Sequence, residues 1–234
     1  MKKNPFKRIL CIVIAAVMLC SVFASTAAAA TKCACGHSPV VMISGFGATI
    51  LSEKQEDGSL KRVFPPDTKE ILKLLGVNAP DLVTGIIKLI AQKGTDGIEK
   101  PMREIITSIV EPLRMNDDGT SYYDIVPILS GAKNTSLEAF TKNDQLDLVP
   151  YTGSEFLDME VIGDEIGDDH VFNFLYDWRL SHADVAAQLH DYLAEVCALT
   201  GHDKVSVYSI SQGSLLLGVY MYEYPDDNYI DRAV

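Results

Sequence analysis

The chain has 234 residues, with 32 acidic and 20 basic side chains and a formal net charge of −12. Apolar residues make up 47% and charged residues 22%, a globular composition that excludes wholesale disorder. The acidic balance, with no basic stripe and no zinc-finger spacing, argues against nucleic acid as a partner, because phosphate binding needs clustered Lys and Arg.

Residues 1–30 have the order of a secretory signal peptide. Lys2, Lys3, Lys7 and Arg8 form a positive start, Ile9 to Cys20 an apolar run, and Ala28-Ala29-Ala30 a small-residue cleavage site. The run is short for a membrane span, and Met18 and Leu19 are too bulky to precede a lipidated Cys20. Cleavage is therefore expected, giving a secreted, extracellular chain of residues 31–234. Its charge falls from −12 to −16, because four bases and no acid are removed. Cys33, Cys35 and Cys197 remain, an odd number in an oxidising compartment. Cys33-x-Cys35-x-His37 has metal-ligand residue types but no second ligand pair at suitable spacing. The expectation is no metal and no cofactor, and a mobile N-terminal arm with one disulfide and one spare thiol.

Ser38 to Ile43 reads as a strand covered on both faces, followed by the glycine loop Ser44-Gly45-Phe46-Gly47. Asp57-Gly58 marks a hairpin turn between Leu51 and Val63, ended by Pro65-Pro66. Residues 68–130 read as a helical cap or lid insertion: Leu82, Val83, Ile86, Ile87 and Ile90 recur at helical spacing, as do Ile105, Ile106, Ile109, Val110 and Leu113. These stripes suit either core packing of the cap or a lipid-facing lid, and core packing is the commoner fate. A second hairpin turn is expected at Asp118-Gly119; the acidic run there lacks the later bidentate Glu of a calcium loop.

Val171 to Tyr176 reads as a strand. A helix with Val185, Leu189, Leu193 and Val196 inward follows, ending at Gly201. Lys204 to Ser209 is a strand and Gln212 to Tyr224 a helix closed by Pro225. Alternating strands and helices at this spacing predict an α/β fold with a mainly parallel sheet.

The strand ending at Ser209 runs through Ile210 into Ser211-Gln212-Gly213 and a helix, the context of a nucleophile elbow. Ser209 stands where the first glycine of that motif is usual. A structural helix N-cap is the plainer role for Ser211.

Three blocks resemble the lecithin:cholesterol acyltransferase-like lipases and acyltransferases of the α/β-hydrolase fold. Pro39 to Gly47 looks like the first core strand and oxyanion loop, Phe172 to Leu180 like the family's Tyr-Asp-Trp-Arg signature at Tyr176 to Arg179, and Val205 to Gly213 like its nucleophile strand. The resemblance implies a serine lipase or O-acyltransferase acting on lipid esters, at a membrane or lipoprotein surface, through an acyl-enzyme at Ser211. It also implies an oxyanion hole from the backbone N–H groups of Phe46 and Gln212, with Asp177 and Arg179 a buried supporting pair.

The family's chain order is nucleophile, acid, His. No histidine follows Ser211, and Asp226, Asp227 and Asp231 come too early for the acid. His170, His182, His190 and His202 precede the serine, His202 from the opposite sheet edge. The triad acid and His are thus expected to be missing, with two or three strands, as from a fragment cut after the elbow. Two other functions fit: a catalytically dead relative acting as a lipid- or protein-binding module, or a hydrolase of short soluble esters.

Overall fold

Four consecutive apolar residues, Val40 to Ile43, are buried fully only if the strand they form has cover on both faces. In the computed structural model, whose described residues are 32–90, 96–148, 154–226 and 229–234, they form β1 (Val40–Ile43). The expected signal peptide lies outside the described residues. Next come β2 (Leu51–Lys54), β3 (Leu60–Phe64), α1 (Thr68–Ile90), α2 (Asp96–Val110) and β4 (Ile125–Pro127). The second half runs α3 (Leu137–Lys142), α4 (Ser154–Ile166), β5 (Val171–Phe174), α5 (His182–Thr200), β6 (Val205–Ser209), α6 (Gln212–Glu223) and β7 (Ile230–Ala233).

The protein is of the mixed α/β class, with a four-stranded parallel sheet of order β5-β1-β6-β7 and six α-helices among the described residues. Val41 stands in register with Phe172 on one side and Val207 on the other. Alternation along the strands sends side chains to two separate cores. Val41, Ile43, Phe172 and Phe174 pack with Val185, Leu189, Leu193 and Val196 of α5 and with Leu216, Leu217 and Tyr220 of α6. On the other face Met42, Val171 and Leu175 pack with Leu137 and Phe140 of α3 and Met159 of α4. Gly201, at φ 70°, ends α5 in a left-handed cap as expected.

A separate antiparallel sheet of order β3-β2-β4 carries the Asp57-Gly58 hairpin. The Asp118-Gly119 turn also forms: Met115 bridges Ser121, and Asp118 Oδ1 accepts from Thr120 N and Oγ1 at 2.9 and 2.7 Å. β4 then pairs with β2, so residues 125–127 of the range read as a cap belong to this sheet.

β7 is a strand that sequence reading did not place. It pairs parallel to β6, with Val205 N donating to Tyr229 O at 2.8 Å and Ser209 N to Val234 O at 2.9 Å at the two ends of the pairing. Its Ile-Asp-Arg-Ala sequence, with two adjacent charges at its centre, lacks the apolar run of the central strands, because an outer strand needs less cover. No helix among the described residues is long and apolar enough to cross a membrane.

One buried polar link ties the layers. Tyr192 of α5 donates to Asn173 O at 3.1 Å and lies 2.6 Å from Thr135 Oγ1. Burial pushes its hydroxyl pKa well above the ordinary 10.0. Above that pH the unfolded chain loses a proton that the native state keeps, so stability falls as pH rises. Urea midpoints on either side of pH 10 are expected to show this fall in the parent and a smaller one in Tyr192→Phe. The variant itself is expected to be about 1–3 kcal/mol less stable, because it strands the buried Asn173 carbonyl and takes a polar neighbour from Thr135 Oγ1.

Candidate active site at the carboxyl end of the parallel sheet

Open α/β sheets bind ligands outside the carboxyl ends of their strands, where the Ser44–Gly47 loop after β1 meets the turn from β6 into α6. Ser211 occupies that turn with φ 54° and ψ −118°, a region that costs a non-glycine residue about 1–3 kcal/mol. Its side chain accepts no capping hydrogen bond from α6, so the N-cap role is not the one it fills. The residue is exposed.

Tight packing beneath Ser211 over-determines this conformation. Ile210 N donates to Ile43 O at 3.0 Å, holding the turn against the end of β1. A Cβ on Gly213 would overlap the Ile43 carbonyl oxygen and stand 2.8 Å from its carbon. On the facing loop a Cβ on Gly45 would stand 3.0 Å from Ser211 Cβ and 3.4 Å from its Oγ. Two glycines therefore let two backbones close on one serine. Ser209 Oγ lies 3.2 Å from Ser214 Oγ and donates to Val234 O at 3.3 Å, so its hydroxyl is accommodated where glycine is usual.

Gln212 is the first residue of α6, and its backbone N–H has no intrahelical acceptor. Its side-chain Nε2 donates to Trp178 O at 2.9 Å. The Phe46 ring is 68% exposed and meets Trp178 edge-on at 4.4 Å. Tyr176 to Arg179 buttress the same loop. Tyr176 Oη donates to Ser44 O at 2.9 Å, and Trp178 Nε1 donates to Thr49 O at 3.3 Å. Asp177 and Arg179, both 5% exposed in their side chains, form the expected buried pair at 2.6 Å. Arg179 Nη2 also reaches Ser121 Oγ at 2.9 Å, linking the block to the Asp118-Gly119 hairpin.

No hydrogen bond joins a histidine to Ser211 among the described residues. His190 stacks on Tyr224 at 4.5 Å. His182 opens α5 with its Nε2 buried and unpaired. His170 and His202 lie at the amino ends of β5 and β6. The five residues of β6 separate His202 from the elbow by about 16 Å. Asp226 is exposed, Asp231 pairs with Arg232, and Asp227 lies outside the described residues.

The helices of the 68–130 range correct the expectation of core packing. α1 and α2 pack on each other, with Leu74, Leu82, Ile105 and Ile109 half-buried, while Val77 is 75% and Ile87 61% exposed. Val83, Ile86, Ile106 and Val110 are also exposed. A two-helix hairpin offers each helix one covering partner, so a broad apolar stripe remains uncovered.

The N-terminal arm corrects a second expectation. No disulfide joins Cys33, Cys35 and Cys197 to one another. Cys197 is buried in α5, while Cys33 and Cys35 lie beside His170 and His202. The arm is tied down by Cys33 N donating to Gly201 O at 3.1 Å and by Lys32 Nζ on Asp203 at 2.7 Å. The second ligand pair that spacing denied to Cys33-x-Cys35 is supplied from two distant segments, and His37 is not in the group. The motif was visible in the sequence, but nothing local marked the two histidines as its neighbours.

No family model, no curated protein and no solved structure matches the chain.

Proposed function

We propose that this chain is a secreted serine lipase or O-acyltransferase of the α/β-hydrolase architecture, acting on lipid esters through Ser211. The observation that carries this reading is the strained elbow, with Ser211 at φ 54° between a strand end and a helix N-terminus. Ser211 Oγ attacks the ester carbonyl carbon and loses its proton, the bond to the alkoxy group breaks, and the departing alcohol takes up a proton. Water or an acceptor alcohol then attacks the acyl-serine and frees Oγ. The N–H groups of Phe46 and Gln212 receive the negative charge on the tetrahedral oxygen, with the α6 dipole behind them. The proton transfers need a base beside Ser211, and all five histidines of the sequence are among the described residues with none hydrogen-bonded to that serine.

A fluorophosphonate probe is expected to label the secreted protein once, at Ser211 by peptide mapping. Ser211→Ala is expected to lose the label and to cut ester turnover by at least about 10³-fold. An unlabelled native protein, or a label that persists in Ser211→Ala, sinks the reading. A second reading, a lipid-binding module without turnover, is favoured by the uncovered apolar stripe on α1 and α2. Co-sedimentation of an unlabelled protein with phospholipid vesicles would move the assignment to it.

A further inference from the structure

Four ligand atoms of two soft and two borderline donors converge at the end of the sheet opposite Ser211. Cys33 Sγ lies 3.8 Å from His170 Nε2, and Cys35 Sγ lies 3.7 Å from His170 Nε2 and 3.4 Å from His202 Nε2. All four atoms lie within 4.8 Å of one another. A tetrahedral zinc with Zn–S of about 2.3 Å and Zn–N of about 2.0–2.1 Å has ligand–ligand edges of about 3.3–3.8 Å. The three distances match those edges.

The outer partners suit the same purpose. Asp169 Oδ1 lies 2.8 Å from His170 Nδ1. A carboxylate there holds the proton on Nδ1 and leaves Nε2 as the lone-pair donor, the usual arrangement around a ligating histidine. Cys35 N donates to Cys33 Sγ at 3.4 Å, as a backbone amide does to a thiolate. His170 has 12% of its side chain exposed, yet a cavity of about 650 Å³ lined by Cys33, Asp169 and His170 opens onto the group and provides an entry path.

The geometry points to a structural zinc site formed by Cys33, Cys35, His170 and His202. Two thiolates and two imidazoles in tetrahedral array select zinc over the oxygen-seeking cations, and four protein ligands leave no position for a substrate or water. Binding releases the two thiol protons to solvent and involves no redox step. The ion ties the N-terminal arm to the segment before β5 and to the turn before β6, three stretches that meet only in the folded chain. It therefore acts on the anchoring of the arm and the sheet's amino end, and not on chemistry at Ser211.

The test uses the protein purified without an affinity tag, under reducing conditions, and dialysed against metal-free buffer. One zinc per chain is expected by elemental analysis. Replacement by cobalt is expected to give the intense visible bands and the thiolate-to-metal charge-transfer bands of a tetrahedral sulfur-containing site. Cys35→Ser and His170→Gln are expected to lose the metal, and His37→Ala to keep it. The cobalt spectrum of the unaltered protein decides the matter if those variants fail to fold. A chain that retains no metal, a cobalt spectrum typical of six oxygen ligands, loss of the metal in His37→Ala, or a Cys33–Cys35 disulfide in the native product would each overturn the assignment.

Discussion

Gly213→Ala is expected to lower the unfolding free energy by about 3 kcal/mol or more, above the usual range for an overpacked site. The added methyl meets the carbonyl groups of Ile43 and Ser44, and backbone atoms in the central strand have nowhere to retreat. Either α6 lifts from β1 or the chain end of β1 bends, and both outcomes disturb Ser211. Gly218, on the same helix, provides the control. A Cβ there meets nothing within 4 Å, so Gly218→Ala is expected to be neutral or to stabilise by up to about 1 kcal/mol through better helix propensity. Urea denaturation of the two variants separates the effects, since they add the same methyl to the same helix. Equal midpoints would show that α6 does not sit on the β1 carbonyls.

The second large effect is expected at the Asp177–Arg179 pair. Asp177 Oδ1 accepts from Arg179 Nε at 2.9 Å and from its backbone N at 3.0 Å, while Oδ2 takes Nη2 at 2.6 Å. Such a bidentate pair, once buried, is costly to break from one side because the surviving charge stays uncompensated. Asp177→Ala is expected to cost about 3–5 kcal/mol, and Arg179→Met a similar amount. The double variant Asp177→Ala with Arg179→Met is expected to be more stable than the sum of the two losses, because no orphan charge remains. Arg179 Nη1 already lacks a partner, so the site has little slack for a second unpaired group. Between the paired residues, Trp178 holds the Phe46 ring and accepts from Gln212, so loosening the pair loosens both expected oxyanion donors. Fluorophosphonate labelling is therefore expected to slow in Arg179→Lys, which keeps the charge but loses the fork. Strict additivity of the single losses would show that the pair is not coupled.

Much of the elbow was legible because its constraints are local. A strand-forming run, a small residue, a serine, a glycine and a helix follow one another within ten residues, and each conformation depends on its immediate neighbours. The two cores were legible in the same way: the unbroken run from Val40 to Ile43 asks for cover on both faces, and the period of α5 says which side it turns inward. β7 was not legible because its four residues show neither an apolar run nor a strict alternation: two adjacent charges, Asp231 and Arg232, sit at its centre as they do in many loops. The uncovered stripe on α1 and α2 escaped for another reason. Periodicity shows that a helix has an apolar face, but not whether the fold brings anything to cover it.

By itself, the sequence determined the α/β class, the strands β5 and β6, the capped helix between them, and the serine at a tight turn. Each of these follows from hydrophobic period and backbone preference over a few adjacent residues. Only the tertiary structure decided that Gly45 and Gly213 let two backbones close on Ser211. It also set the histidines apart from that serine and brought His170 and His202 to Cys33 and Cys35. The physical reason is that His170 follows Cys33 by 137 residues and is joined to it only by the sheet. Parallel pairing set β5 and β6 on either side of β1, and their amino ends, carrying one histidine each, came to rest beside the arm that leads into β1.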